Sequence, residues 1–402
     1  MHKMNILFLT IVYPENDTNL YTDLMQEFVK KGHNVYVITS RERRYRKITS
    51  IDVENGITVL RVKSFNLQKT NIFEKGLGTL LIEQQYISAI KKYHKDKSFD
   101  LVIYSTPPVT FARVINYCKK IYKSRTYLLL KDIFPQNAVD LELIKKNSLI
   151  YKYFRSKEKK LYGLSDYIGC MSPKNVEYLL RNNNELSIKK TEVCPNSIIP
   201  KSLNAITYES KCIIRNKYGL PIDRLLLLYG GNLGKPQGIN FLLDILISNK
   251  DNIDVFFLIV GSGTEYALLE RSIVQNGIDN VKLIEMLPKN EYEELVQASD
   301  VGLIFLDKRF TIPNFPSRLL SYMEYSLPVI AATDVNTDIG PIIERGKFGF
   351  WCESGDINGF NTLLRKVLNN RQLCDMRINS RRFLEENYTC STSVDIILQH
   401  FL

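Results

Sequence analysis

The sequence predicts an α/β protein built from two doubly wound parallel sheets. Three observations carry that prediction. Short apolar runs alternate with helix-length amphipathic segments, the pattern of strands buried on both faces. The alternation halts at a polar stretch, PNSIIPKSLN (195–204), and then begins again. Several apolar runs end in glycine or a tight turn, as strands do when they feed a helix. At 402 residues the chain is also long for a single domain.

The elements follow in order. MNILFLT (4–10) is a short buried strand. TDLMQEFVKKGHNVYVIT (22–39) reads as a helix, a stop at Gly32 and a second strand. FDLVIYSTPP (99–108), TYLLLKDIFP (126–135) and SDYIGCMS (165–172) supply three more strands. Residues 1–200 are therefore expected to form one domain. After the linker, KCIIRNKYGLPIDR reads as a short helix and a turn. LLLLYGGNLG (225–234), VFFLIVGSGTE (255–265), VKLIEMLP (281–288), VGLIFLD (301–307) and LPVIAATD (327–334) then rebuild a parallel sheet over 201–384. The tail has an apolar face at Val394, Ile397 and Phe401, so a helix over about 385–402 is expected to pack back onto the first domain.

Bulk chemistry narrows the class. Residues 1–200 hold 33 Lys and Arg against 19 Asp and Glu, and residues 201–402 hold 21 against 24, so the net +11 arises wholly in the first half. A basic half suits a polyanion or an anionic membrane surface. The seven cysteines stand singly, without CxxC or metal spacing, which reads as reduced thiols in a cytoplasmic protein. The start shows no signal-peptide pattern, and no apolar run approaches a membrane-spanning length. The four histidines, His2, His33, His94 and His400, sit beside no nucleophile, which disfavours a Ser–His–Asp hydrolase or a histidine-bound metal. No metal or cofactor is expected.

In open parallel sheets, ligands bind beyond the C-terminal strand ends. Three such places carry anion chemistry. YGGNLGKPQG places Gly230, Gly231, Gly234 and Lys235 between a strand and a helix, where backbone N–H groups attract a diphosphate. VGSGTE is a second glycine turn. NFPSRLLSYMEYSLPVIAATD (314–334) opens a helix at Pro316, Ser317 and Arg318, whose start is expected to offer free N–H groups, a hydroxyl and a guanidinium, and Arg318 has the fork geometry for a phosphate. Leu319, Leu320, Met323 and Leu327 form its apolar face, leaving Ser317, Ser321 and Glu324 on another.

These motifs together resemble family 4 of the retaining GT-B glycosyltransferases, over almost the whole length. The likeness runs from MNILFLT, KKGHNVYVIT and SDYIGCMSP through CPNSI, YGGNLGKPQG, VGSGTE and ASDVGLIFL to FPSRLLSYMEYSLPVIAATD. It implies two Rossmann-like domains facing a cleft, the second holding a nucleotide sugar and the first an acceptor. It places Gly231, Asn232, Gly234 and Lys235 near the donor diphosphate, Gly261, Ser262 and Gly263 on the nucleotide side, and Ser317 and Arg318 at the phosphates or sugar. The chain departs from the family in three places. Pro313 and Ser321 stand where two glutamates are usual, so Glu324, one turn from Ser321, is the substitute candidate. Gln237 replaces a customary lysine, leaving Lys235 or Arg318 as the basic partner.

On the acceptor side, KDIFPQNAVDL (131–141) puts Lys131 and Asp132 at a strand exit. Related transferases that use lipid-linked acceptors have a comparable segment. Asp132 is the candidate catalytic or acceptor-orienting carboxylate, beside Lys235 and Arg318. STPPVTF, with Thr106 and Pro107, and the Asp17–Tyr21 loop, with Asn19, are expected to line the acceptor side. SRERRYRK supplies a membrane patch at Arg43, Arg44, Arg46 and Lys47, and CKKIYKSR and IYKYFRSKEKKLYG mix cations with aromatics in the same way. No nucleic-acid motif is present.

The resemblance implies a UDP-dependent transferase moving an N-acetylated aminosugar, such as N-acetylfucosamine, to a polyprenyl-diphosphate-linked saccharide in capsule or O-antigen synthesis. It would work on the inner face of the cell membrane. A catalytically inactive GT-B scaffold subunit is the alternative that the missing glutamates motivate. A UDP-sugar 2-epimerase is disfavoured, because those enzymes lean on histidine and several carboxylates in the cleft, which this chain lacks.

Overall fold

The computed structural model describes residues 3–15, 17–67, 72–202, 206–369 and 373–401. The chain divides into two compact units, Met1–Ile199 with Thr389–Leu402, and Pro200–Tyr388. Each is an α/β unit with a largely parallel sheet.

The first unit contains β1 (Asn5–Leu9), β2 (Asn34–Glu42), β3 (Ser50–Glu54), β4 (Ile57–Ser64), β5 (Leu101–Ser105), β6 (Arg125–Leu130), β7 (Tyr167–Cys170) and β8 (Thr191–Val193). Its strand order is β3-β4-β2-β1-β5-β6-β7-β8, parallel throughout except where edge strand β3 meets β4. Its helices are α1 (Leu20–Lys30), α2 (Ile72–Tyr93), α3 (Ala112–Tyr122), α4 (Gln136–Asp140), α5 (Leu149–Leu164) and α6 (Pro173–Asn182). Every residue of β5 is buried, as its unbroken apolar run requires of a central parallel strand. Asn19 starts α1 by accepting the N–H groups of Tyr21 and Thr22, a cap that contributes about 1 kcal/mol.

The second unit contains α7 (Tyr208–Lys217), β9 (Leu225–Asn232), α8 (Ile239–Ser248), β10 (Val255–Ser262), α9 (Tyr266–Gln275), β11 (Val281–Ile284) and α10 (Lys289–Ala298). It continues with β12 (Val301–Phe305), α11 (Arg318–Glu324), β13 (Val329–Thr333), α12 (Ile339–Gly346), β14 (Gly349–Glu353), α13 (Ile357–Leu368) and α14 (Leu373–Asn387). The sheet runs β11-β10-β9-β12-β13-β14, all parallel. The order reverses direction at β9, so the exits of β9 and its neighbours form the switch point where such sheets hold ligands.

The last helix, α15 (Cys390–Leu398), belongs to the first unit. Val394, Ile397 and Leu398 are buried in one cluster with Ile6, Phe8 and Phe28. The polar stretch 195–204 leads from one unit into the other, and its residues 203 and 204 lie outside the described residues. Among the described residues no helix is long and apolar enough to cross a membrane.

Candidate functional site

In the second unit the glycine turns meet at the carboxyl ends of β9 and β10. Gly231 and Asn232 pair in register with Gly261 and Ser262. The two strands approach so closely here that a Cβ on Gly261 would sit 1.9 Å from the Gly231 carbonyl oxygen, which only glycine tolerates. Gly231 has φ +119 and is exposed, a backbone conformation that a side chain would strain. Gly234 then starts a short 3-10 turn, Lys235–Gln237, and Gly238 leads into α8. Lys235 is exposed and has no ion-pair partner among the described residues.

Arg318 reaches this corner from the start of α11. Its Nη2 donates to the Gln237 side-chain oxygen, and a Cβ on Gly231 would lie 3.6 Å from that nitrogen. Its guanidinium carbon lies 4.4 Å from the centre of the Tyr229 ring. Tyr292 of α10 and Tyr322 of α11 complete the surround. Burial pushes the Tyr292 hydroxyl up to about 12, with the Arg318 charge acting against it. Tyr322 accepts the Gly230 N–H at 3.1 Å, tying α11 to β9. The other terminal nitrogen of Arg318, Nη1, is buried and has no hydrogen-bond partner among the described residues. A charged donor left so costs about 1–3 kcal/mol, which an anionic ligand would recover. The sequence singled out Arg318 but none of the three tyrosines, because they converge from three elements with no local pattern.

Two expectations for α11 need correction. The first concerns free N–H groups at its start. The N–H groups of Leu319 and Leu320 are already taken by the carbonyls of Pro316 and Ser317, and the helix has only seven residues. The cationic group at this helix start is the Arg318 side chain, with the exposed Ser317 hydroxyl beside it in sequence. The second concerns Glu324. It is buried and accepts the Lys201 N–H at 3.0 Å, so its carboxylate secures the chain entering this unit and does not share the polar role of Ser321. Ser321 itself is half-buried.

In the first unit, Asp132 follows β6 and is half-buried. Its two carboxylate oxygens accept from the Asn137 amide at 2.8 and 2.7 Å. Burial raises its pKa to about 6, against hydrogen bonds from Ile133 and Asn137 that pull it down. Lys131 borders a small pocket walled by Tyr21, Leu129, Cys194, Asn196 and Ser197, and burial lowers its pKa. Thr106 departs from its expected role. It is fully buried, and its hydroxyl accepts the N–H of Lys131 at 3.1 Å and donates to the Asp132 carbonyl at 3.0 Å. It therefore splices the β5 and β6 exits. Asn19 likewise has its side-chain oxygen committed to the α1 cap. Pro107 is exposed.

The membrane patch at residues 43–47 is also corrected. Arg43 pairs with Glu74 at 2.6 Å, Lys47 with Glu15 at 2.7 Å, and Arg44 with Glu42. Only Arg46 of the four has no ion pair among the described residues, so the stretch is no free basic surface. His33 and His94 are buried, and burial pushes His94 down to about 4. His400 stacks on Tyr167 and meets Glu192 at 2.9 Å, and His2 lies outside the described residues. All seven cysteines are free thiols. A cavity of about 610 Å3 in the second unit lies at the opposite strand ends, where Lys211 and Arg215 pair with Asp300. Its charges neutralise one another, so it is a poorer ligand site than the Arg318 corner.

Residues 210–383 match the family model of glycosyl transferases group 1. This segment spans the Arg318 corner, the Gly231 turn and the sheet that carries them. The chain thus carries a glycosyltransferase domain, and the protein is an enzyme of the transferase class. It is 20% identical over 336 residues to a protein named "Probable glycosyltransferase WbjE" of Pseudomonas aeruginosa, covering 80% of this chain and 78% of that one. It is 22% identical over 361 residues to a protein named as a colanic acid biosynthesis glycosyl transferase, WcaI of Escherichia coli K12, covering 85% and 86%. Among solved structures, sucrose-phosphate synthase of Thermosynechococcus elongatus matches with TM-score 0.77 at 15% identity, covering 99% of this chain and 98% of that one. Anabaena HepE, solved in complex with UDP, matches with TM-score 0.71 at 15% identity over 99% of each chain. These likenesses establish the architecture as GT-B, two Rossmann-like domains.

Proposed function

We propose that the protein is a retaining glycosyltransferase of family 4 that takes its sugar from a UDP-sugar. The observation that carries this reading is the Nη1 of Arg318, without a partner among the described residues, beside the glycine turn at Gly231. Arg318 and Lys235 hold the diphosphate and stabilise its charge as the sugar departs. Gly231, Asn232 and Gly234 let the backbone approach it, and Ser317 and Ser321 supply hydroxyls to the phosphates or sugar. Gly261, Ser262 and Gly263 border the nucleoside. HepE, solved with UDP, supports the choice of nucleotide by analogy of fold.

In the first unit Lys131 and Asp132 receive the acceptor. Asp132, with a pKa near 6, is poised to accept a proton from an acceptor hydroxyl or to orient it. The acceptor is a polyprenyl-diphosphate-linked saccharide of capsule or O-antigen synthesis, and the sugar is an N-acetylated aminosugar of the N-acetylfucosamine type. WcaI, named for colanic acid synthesis, supports the polysaccharide setting. The protein would work on the inner face of the cell membrane.

The test is transfer itself. The protein is incubated with a panel of UDP-N-acetylaminosugars and a lipid-linked acceptor, and UDP release and the anomeric configuration of the product are followed. Acceptor-dependent UDP release with retained configuration is expected. An inverted product would contradict the retaining mechanism. Absence of transfer with every donor would favour a GT-B scaffold subunit, as the Pro313 and Ser321 departures would allow.

A further inference from the structure

We propose that the start of α5 and the loop before it form the face by which the protein docks on an anionic lipid bilayer. The inference rests on the membrane-borne acceptor only for its purpose, and its physical basis is separate. Leu143, Leu149 and Ile150 are large apolar side chains held in water, with 61%, 85% and 58% of their surfaces exposed. Tyr153, also exposed, lies four residues after Leu149 and three after Ile150, so the three share one helical face. The helix end that presents them is capped, because Ser148 accepts the Tyr151 N–H at 3.2 Å. It is a formed turn carrying apolar tips.

The charge around these tips is one-sided. Lys145, Lys146 and Lys152 are exposed, and none has a carboxylate partner among the described residues. Glu142 is the single acidic residue in 141–157. The next carboxylate, Glu158, is buried and tied to Arg155 and Tyr162. This contrasts with residues 43–47, where most cations already have acidic partners. A second exposed apolar stripe lies on α2 of the same unit. Leu77, Leu80 and Leu81 of α2 are exposed at helical spacing. Glu83 of α2 accepts the Arg113 N–H of α3, and α3 packs against both α2 and α5.

Aliphatic tips ringed by unpaired lysines match the boundary between lipid headgroups and acyl chains. The ammonium groups meet anionic headgroups while Leu149 and Ile150 enter the hydrocarbon. Nucleic acid fits poorly, since leucine and isoleucine offer no flat face for a base.

The experiment is flotation of the full chain with vesicles of phosphatidylglycerol and phosphatidylethanolamine, and with phosphatidylcholine alone. Binding to the anionic vesicles is expected, with little to phosphatidylcholine. The Leu149→Ser/Ile150→Ser pair should lower it by at least about tenfold. Lys145→Gln/Lys146→Gln/Lys152→Gln should lower it and flatten its salt dependence. Arg43→Gln/Arg44→Gln should leave it unchanged. All variants sit on surface side chains, and far-UV circular dichroism confirms their folding. Wild-type protein that ignores anionic vesicles, or a Leu149/Ile150 variant that binds like wild type, would overturn the proposal; the first result would point instead to a protein partner. UDP binding measured without vesicles keeps the two readings apart: a chain that binds UDP but no vesicle refutes the docking face alone.

Discussion

Arg318 of α11 and Tyr229 of β9 are locked together, the guanidinium carbon 4.4 Å from the ring centre, with Nη2 held by Gln237 and Nη1 without a partner among the described residues. The stack on tyrosine supports a half-buried cation. The glutamine fixes one edge of the fork. What remains is a charged N–H group at the ligand end of the sheet, set before any ligand arrives.

Replacing Arg318 by Lys keeps the charge and removes the fork. A single ammonium cannot reach Gln237 and a phosphate together in the same geometry. UDP affinity in Arg318→Lys should fall by about 10- to 100-fold, measured by titration calorimetry. Wild-type affinity in that variant would mean the fork does not touch the nucleotide.

Gly231→Ala tests the backbone. With φ +119, an alanine there strains the chain, and its methyl group faces the Arg318 fork at about 3.6 Å. A stability loss of about 1 kcal/mol is expected from thermal unfolding, with UDP binding weakened more than stability alone explains. Unaltered UDP binding would remove Gly231 from the donor site.

Asp132 gives a pH signature. Its folded pKa of about 6 lies above the ordinary 3.8, so the folded state holds the proton more tightly. The stability this contributes is complete below pH 3.8, declines as pH rises and is gone above about 6. Asp132→Asn should therefore lose that decline between pH 4 and 6 in denaturant titrations. Under the proposed role, transfer by the wild type should also fall on the acid side of about pH 6, and the variant should be slow at every pH. A fast variant would release Asp132 from the reaction.

The C-terminal helix is a structural dependency of the first unit. Ile397 is fully buried against that unit's core. Ile397→Ala should cost about 2–5 kcal/mol of stability, read from the urea midpoint. A change below about 0.5 kcal/mol would contradict the packing.

Much of this fold is written in local pattern. The strands β1, β5, β6 and β9 each carry an apolar run of four or more residues because both their faces are covered, and such runs are legible one residue at a time. The edge pair was missed. β3 reads SIDVE, and its two apolar residues, Ile51 and Val53, are exposed, so no buried run marks it. β14, GFWCE, is too short and mixed to stand out. The candidate site divides the same way. The glycines and Arg318 were legible because a strand exit followed by glycine has a local signature. Tyr229, Tyr292 and Tyr322 were not, since their meeting is tertiary. Glu324 and the residue 43–47 patch were misread for one reason: a charge on a sequence looks free until folding brings Lys201 or Glu15 beside it.

The most direct measurement is calorimetric titration of the wild type and Arg318→Ala with UDP and then GDP, without added metal. The donor-site account predicts saturable UDP binding by the wild type, weaker GDP binding, and loss of UDP binding in the variant. Absence of UDP binding by the wild type, or equal binding by both proteins, would contradict it.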